Sequence, residues 1–183
     1  MTRASPLFVP LAASMIVALW AGLVRIGWPL GAAPRVVVAH GPLMVVGVMG
    51  TVISLERAVA LGRTWSVAAP ALSLACAFGL VIGLPSATCA WLAAASALVY
   101  FATLVVLGAR ASDLSMLVIT AGGALLLAGS LRWALGNPIF SVLPWWTTWL
   151  ILTSPASASS SRASFRRRRS RARSSSRSRS RSS

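Results

Sequence analysis

The chain has 183 residues, 57% of them hydrophobic and 10% charged, with a net charge of +15 from 17 basic and 2 acidic side chains. At a mean hydropathy of +0.79, its apolar surface cannot be hidden in one water-soluble core, which excludes an ordinary soluble domain. No nucleophile triad, paired-carboxylate site or phosphate-binding glycine loop is present, so no enzyme is legible in it.

Five apolar runs are long enough to cross a bilayer, whose hydrocarbon core takes about 20 helical residues. They are Leu7–Val24, Val36–Leu55, Ser66–Leu84, Cys89–Leu107 and Leu114–Leu131, and none contains Lys, Arg, Asp or Glu. The first is too apolar for too long, and lacks a small-x-small site after it, so it reads as an uncleaved span rather than a signal peptide. Charges fall between the runs: Arg25 and Arg35, then Glu56, Arg57 and Arg63, then Arg110 and Asp113, then Arg132. Lipid offers the backbone no hydrogen-bond partners, so these runs are predicted to be helices. A sixth run, Ile139–Thr153, opens on Gly136-Asn137-Pro138 and reads as a helix cut off partway. The predicted fold is therefore all-α: residues 1–153 form an incomplete polytopic transmembrane bundle of five full spans plus a truncated sixth. Residues 154–183 form a disordered Arg/Ser tail.

Tryptophans fall near the predicted ends: Trp28 after the first run, Trp65 before the third, Trp91 opening the fourth, Trp133 after the fifth and Trp145-Trp146 early in the sixth. Indoles favour the headgroup region, where the ring is apolar and its N–H finds a partner. With the N-terminus inside, Arg3, Arg57, Arg63 and Arg110 are cytoplasmic against Arg25, Arg35 and Arg132 outside, which leans toward N-in in a multi-pass protein of a bacterial inner membrane.

Small residues mark packing faces. Ala71, Ala75, Gly79 and Gly83 repeat every four positions in the third run, and Gly47/Thr51 and Gly50/Ser54 do the same in the second. Such stripes let backbones approach closely in lipid. Packing within the bundle is the favoured reading, with self-association through Ala71, Ala75, Gly79 and Gly83 as the alternative. Ser112-Asp113 has the form of an N-cap for the fifth helix. Cys76 and Cys89 have no ligand-like neighbours and read as small hydrophobes.

His40 is the chain's single histidine and the one side chain inside a predicted span that titrates near neutral pH. An ionisable group in a membrane segment is a functional candidate, as a haem or metal ligand or a proton relay. The competing reading is a neutral imidazole hydrogen-bonded near the interface, and the lack of a second His, Cys or carboxylate nearby favours it. Glu56-Arg57 closes the second run. The pair could orient a loop against another helix or bind an anionic group, but the favoured reading is a structural ion pair at a solvated helix end, worth little there.

The tail is written in another alphabet: Ser154–Ser183 holds fourteen Ser, ten Arg and four Ala, besides Pro155 and Phe165. The chain has no Lys, and its Ala, Gly and Arg point to a GC-rich gene. With codons ending in G or C, the same letters read one nucleotide earlier turn Pro155–Ser161 into Ala-Gly-Glu-Arg-Leu-Glu-Leu. The Arg166–Arg169 run becomes prolines, and the closing Arg-Ser alternation becomes Ala and Leu. The expectation is a frameshift that hides further membrane sequence. Read as written, ten Arg could hold a phosphate backbone through counterion release. No aromatic platform accompanies them except Phe165, so no specific nucleic acid is expected.

The stretch from His40-Gly-Pro-Leu-Met44 through Gly50-Thr-Val-Ile-Ser-Leu-Glu-Arg-Ala-Val-Ala-Leu-Gly62 resembles a group of uncharacterised bacterial multi-spanning proteins. These are distantly similar to NnrS-like membrane proteins, which are associated with haem, copper and the nitric-oxide response. The shifted-frame Ala-Gly-Glu-Arg-Leu-Glu-Leu resembles a later segment of the same group. The resemblance implies a lipid-embedded fragment of an NnrS-like protein, with His40 in the one plausible position for a haem ligand. A small transporter or channel subunit is the alternative, and it needs polar residues facing the bundle interior besides His40.

Overall fold

A computed structural model describes residues 5–31, 34–110 and 113–153; the Arg/Ser tail, Arg3 and Ser112 lie outside the described residues. Those described residues are helical, without strands. The helices are α1 (Ser5–Arg25), a short α2 (Pro34–Val38), α3 (His40–Leu61), α4 (Ala68–Ile82) with a 3-10 turn before it at Trp65–Val67, α5 (Ser86–Arg110), α6 (Leu114–Ala134) and α7 (Ile139–Thr153). Five of them are long and apolar enough to cross a membrane, and Ile139–Thr153 is shorter.

The second span differs from its predicted bounds at both ends, and each difference has a local cause. Pro42 cannot donate to Val38 and its ring crowds that carbonyl. The helix breaks at Ala39 (φ −78°, ψ 1°), so Pro34–Val38 becomes a separate turn and the long rod begins at His40. At the other end Glu56–Leu61 are good helix formers, and α3 continues until Gly62 adopts φ 68° and returns its N–H to Ala58 O. The Glu56-Arg57 pair, expected at a helix end, thus lies inside α3.

The middle of α3, Leu43–Gly50, is wound as a π-helix. A π turn is wider than an α turn, and such segments are rare and often sit at functional sites. Where it ends, the Thr51 hydroxyl donates to Gly47 O at 2.5 Å and the Ser54 hydroxyl to Thr51 O at 3.2 Å. These side chains satisfy carbonyls at the join between the two helical patterns.

Close approach follows the small residues, on a face other than the one expected. A Cβ placed on Gly47 would meet Ala77 Cβ at 2.8 Å, and one on Gly50 would meet Ser73 Oγ at 3.3 Å. The α3–α4 contact therefore uses Ser73 and Ala77 of α4. Of the Ala71/Ala75/Gly79/Gly83 stripe, Ala71 and Ala75 are exposed and only Gly79 is buried, against Cys89 Sγ of α5. Gly83, at φ 89°, ends α4 and lies beneath the Arg35 guanidinium.

Helix α7 seats antiparallel on α6 through two glycines. A Cβ on Gly122 would meet Leu152, Thr153 and Trp149, and one on Gly129 would meet Trp145 and Trp146. The neighbouring Gly123 faces Leu104 and Tyr100 of α5 instead. Asn137 closes the α6–α7 turn by donating from Nδ2 to Arg132 O at 2.8 Å. Asp113 caps α6, accepting from Met116 N–H at 2.8 Å, as its sequence position predicts.

The tryptophans range from exposed to buried, with Trp20 and Trp145 between the extremes. Trp28, Trp65 and Trp91 are exposed, as interfacial indoles should be, but Trp133, Trp146 and Trp149 are buried. The expectation of an interfacial Trp133 and Trp146 is corrected: α7 folds back on α6 and draws both rings inside, edge to face with centroids 5.7 Å apart. Gly129 leaves room for the Trp146 ring, whose Cδ1 lies 3.0 Å from the missing Cβ, and Trp133 packs against that ring by close contact.

A polar chamber inside the bundle as the candidate functional site

Each of four helices brings polar side chains to one small interior space. Ser54 comes from α3, Ser73 from α4, Ser96 and Tyr100 from α5, and Ser130 from α6, closed by Val46, Gly50, Ala93, Ala97 and Leu126. All five polar residues are buried, Tyr100 and Ser130 at 1% exposure. The chamber is a cavity of about 10 Å³, on the order of what one water requires.

Its hydrogen bonds can be followed proton by proton. Ser96 donates to Ala69 O at 2.8 Å. A hydroxyl has one proton, so in the 2.8 Å contact between Ser73 and Ser96 Ser73 is the donor. The Ser54 proton goes to Thr51 O. One hydroxyl in the chamber wall has no partner, Ser130 Oγ, while the Tyr100 hydroxyl lies within reach of the Trp149 indole N–H. A buried indole N–H outside the chamber lining, Trp146 Nε1, is also without a partner. Trp149 lies edge-on to Tyr100 with centroids 6.2 Å apart, and Trp146 Nε1 packs beside Gly129, the neighbour of Ser130.

Arg57 lies three residues beyond Ser54 on α3 and so on the same helix face. It is buried to 7% exposure, which corrects the expectation of a solvated pair. Its Nη2 stands 3.8 Å from Glu56 Oε1, but that carboxylate side chain is 57% exposed. Successive residues do not face the same way on a helix, so the acid faces outward while the guanidinium faces the bundle.

A cleft of about 640 Å³ opens at the end of the bundle where α4 and α6 finish and α5 and α7 begin, lined by Arg35, Pro42, Gly83, Ser86, Trp133 and Asn137, among others. Pro42 stands one turn above Val46 on α3, and Trp133 one turn above Ser130 on α6. The cleft floor is therefore separated from the chamber by about one helical turn on these two helices.

His40 stands apart from both. Its ring is half-buried, with Nδ1 3.0 Å from Ala18 O and Cε1 2.9 Å from the position of a Cβ on Gly22. It lines neither the cleft nor an apolar groove of about 780 Å³ between α5 and α6. Among the described residues no group of three His, Cys, Asp or Glu could hold a metal ion. A copper site needs more ligands than one imidazole, and a haem needs space for the macrocycle beside its axial nitrogen. The surroundings of His40 do not fit either group. They fit an imidazole that ties α3 to α1.

The chamber residues escaped the sequence reading, although a signal was available. Each contributing helix carries a hydroxyl within its apolar length, and Tyr100 is the one tyrosine in the chain. Lone hydroxyls are common in membrane helices, and nothing in a linear sequence shows that four spans turn them toward one point.

Residues 3–175 match the model of a domain of unknown function, DUF8744, and the chain belongs to that family. The match runs past Thr153 into the Arg/Ser stretch. Neither the curated proteins nor the solved structures include a match.

Proposed function

We propose that the chain is a multi-pass, non-enzymatic protein of the bacterial inner membrane whose bundle holds a small polar solute, in the manner of a transporter or channel subunit. The chamber carries this reading. A buried hydroxyl or amide left unpaired costs about 1–3 kcal/mol, and polar groups deep in a membrane bundle typically mark a solute or ion path. The cleft at one end of the bundle supports it, because it places an opening about one turn above the chamber. Kinship with NnrS-like proteins rests on the His40–Met44 and Gly50–Gly62 stretches, and in this reading it carries no haem or copper with it. The lipid bilayer is the principal partner, and the exposed Ala71 and Ala75 leave a face for self-association.

Reporter fusions after residues 30, 63, 84 and 112 test the membrane arrangement. The expected result is alternation, with residue 63 cytoplasmic. Fusions at 63 and 84 on the same side would remove α4 as a span and, with it, the membrane setting of the chamber.

A further inference from the structure

We propose that the cleft at the end of the bundle seats one anionic phospholipid, with its phosphate on Arg35 and the upper part of an acyl chain against the apolar floor. The inference rests on the membrane setting above and not on a solute in the chamber. Arg35 is exposed at the mouth of the cleft, its Nη1 2.7 Å and its Cζ 3.3 Å from the Cβ position of Gly83. The guanidinium thus lies across the end of α4, where the helix dipole favours a cation. That seat fixes its place without filling its hydrogen bonds, for it has no hydrogen-bond or ion-pair partner among the described residues. A planar fork of five donors matches a phosphate, which it can hold through two parallel bonds.

The surroundings select the class of guest. Neither of the chain's two acids is near. Glu56 lies about 20 Å beyond Pro42 along α3, and Asp113 lies about 30 Å from Trp133 along α6. Behind Arg35 the lining turns apolar, with Val38, Leu80, Leu84, Trp133 and Ile139. Val38 and Leu84 are exposed at the rim, and so are Leu135 and Phe140 on either side of the Asn137–Ile139 wall. An apolar rim around one guanidinium belongs at the boundary of headgroups and acyl chains rather than in open water, and basic pockets between spans take anionic headgroups there. At about 640 Å³ the cleft has the size of a small-molecule site, about 300–1,000 Å³.

The test uses the full chain purified in detergent, with unfolding followed by a thiol-reactive dye, since Cys76 and Cys89 are free and buried. Phosphatidylglycerol and phosphatidylcholine with the same acyl chains are titrated in mixed micelles, and glycerol phosphate serves as the headgroup alone. A ligand bound only by the folded state raises the midpoint in a saturable manner. The expected result is such a rise with phosphatidylglycerol and with neither of the others. Arg35→Gln should raise the half-saturating phosphatidylglycerol fraction about tenfold, the loss of a charge-assisted pair. Arg110→Gln, which removes an exposed arginine at the opposite end of α5, should leave it unchanged.

Native mass spectrometry of the unmodified chain tests the site if Arg35→Gln fails to fold. One phosphatidylglycerol should stay bound under activation that strips phosphatidylcholine. Equal shifts with the two lipids, a rise with glycerol phosphate alone, or equal effects of the two arginine variants would overturn the proposal, as would loss of both lipids at the same activation. None of these outcomes touches the fusion experiment, so failure of lipid binding is distinguishable from failure of the membrane arrangement.

Discussion

Replacing Gly47 by Ala tests the packing that forms the chamber. The new methyl would lie 2.8 Å from Ala77 Cβ, where carbon atoms ordinarily rest about 3.5–4.0 Å apart. The α3 and α4 backbones must part by about 1 Å, and overpacking of this kind costs about 1–3 kcal/mol. The gain of Ala over Gly in a helix, about 1 kcal/mol, offsets part of it. Gly41→Ala in the same rod supplies the control, because nothing lies within 4 Å of its Cβ position. Gly41→Ala should therefore stabilise by up to about 1 kcal/mol and Gly47→Ala should not. The Ala-over-Gly gain is common to both variants, so they differ by the overpacking cost. At about 2–4 °C per kcal/mol, the two midpoints should differ by about 2–12 °C when unfolding in detergent is followed with a thiol-reactive dye on the buried Cys76 and Cys89. The double variant Gly47→Ala/Ala77→Gly moves the methyl across the contact and should recover about 1–3 kcal/mol as a coupling term. Equal midpoints for Gly41→Ala and Gly47→Ala, or a cycle without coupling, would refute the α3–α4 contact.

Two further outcomes follow from the candidate residues. His40→Ala should leave membranes without any change in Soret absorbance and should lower protein abundance only modestly, by the loss of one side-chain bond to Ala18 O; a haem band that vanishes with the substitution would reverse the structural reading of His40. Sequencing the locus around codon 154 should show that a one-nucleotide change near Thr153 opens a frame encoding Ala-Gly-Glu-Arg-Leu-Glu-Leu and an apolar segment. Stop codons within a few triplets of that shifted frame would end the frameshift proposal.

The helices were legible because charge-free apolar runs can satisfy their backbone in no other way, and Asp113 announced itself by chemistry that is local to one turn. What was not legible depended on contacts between distant segments. Arg57 reads as a surface residue when α3 is thought to end at Leu55, and only the continuation to Leu61 shows that it faces the bundle. Trp146 follows an interfacial pattern in the sequence, yet a seat at Gly129 draws it inside. The small-residue stripe of α4 was the right signal on the wrong face, since a four-residue repeat marks every flat side of a helix equally and cannot show which side meets α3. His40 drew notice as the lone titratable residue in a span, but rarity in composition carries no information about what surrounds a side chain.

The packing of α3 and its chemistry are the same feature seen from two sides. Gly50 has no side chain, and the space it leaves is bounded by Ser73 Oγ at 3.3 Å from the missing Cβ. The absence of that methyl lets α4 approach, and it also leaves the chamber open between Ser54 and Ser73. The π winding of Leu43–Gly50 widens the helix just before this point, and Thr51 and Ser54 spend their protons repairing the carbonyls at its end. Those hydroxyls are therefore unavailable as donors to a guest. In the proposed reading, donation to a solute falls to Tyr100 and Ser130 on the opposite wall. The chamber is thus asymmetric: Ser54, Ser73 and Ser96 are engaged in hydrogen bonds and Ser130 is not. In the proposed solute-binding reading, substitution of Ser73 or Ser96 should therefore move stability and substitution of Ser130 should move affinity.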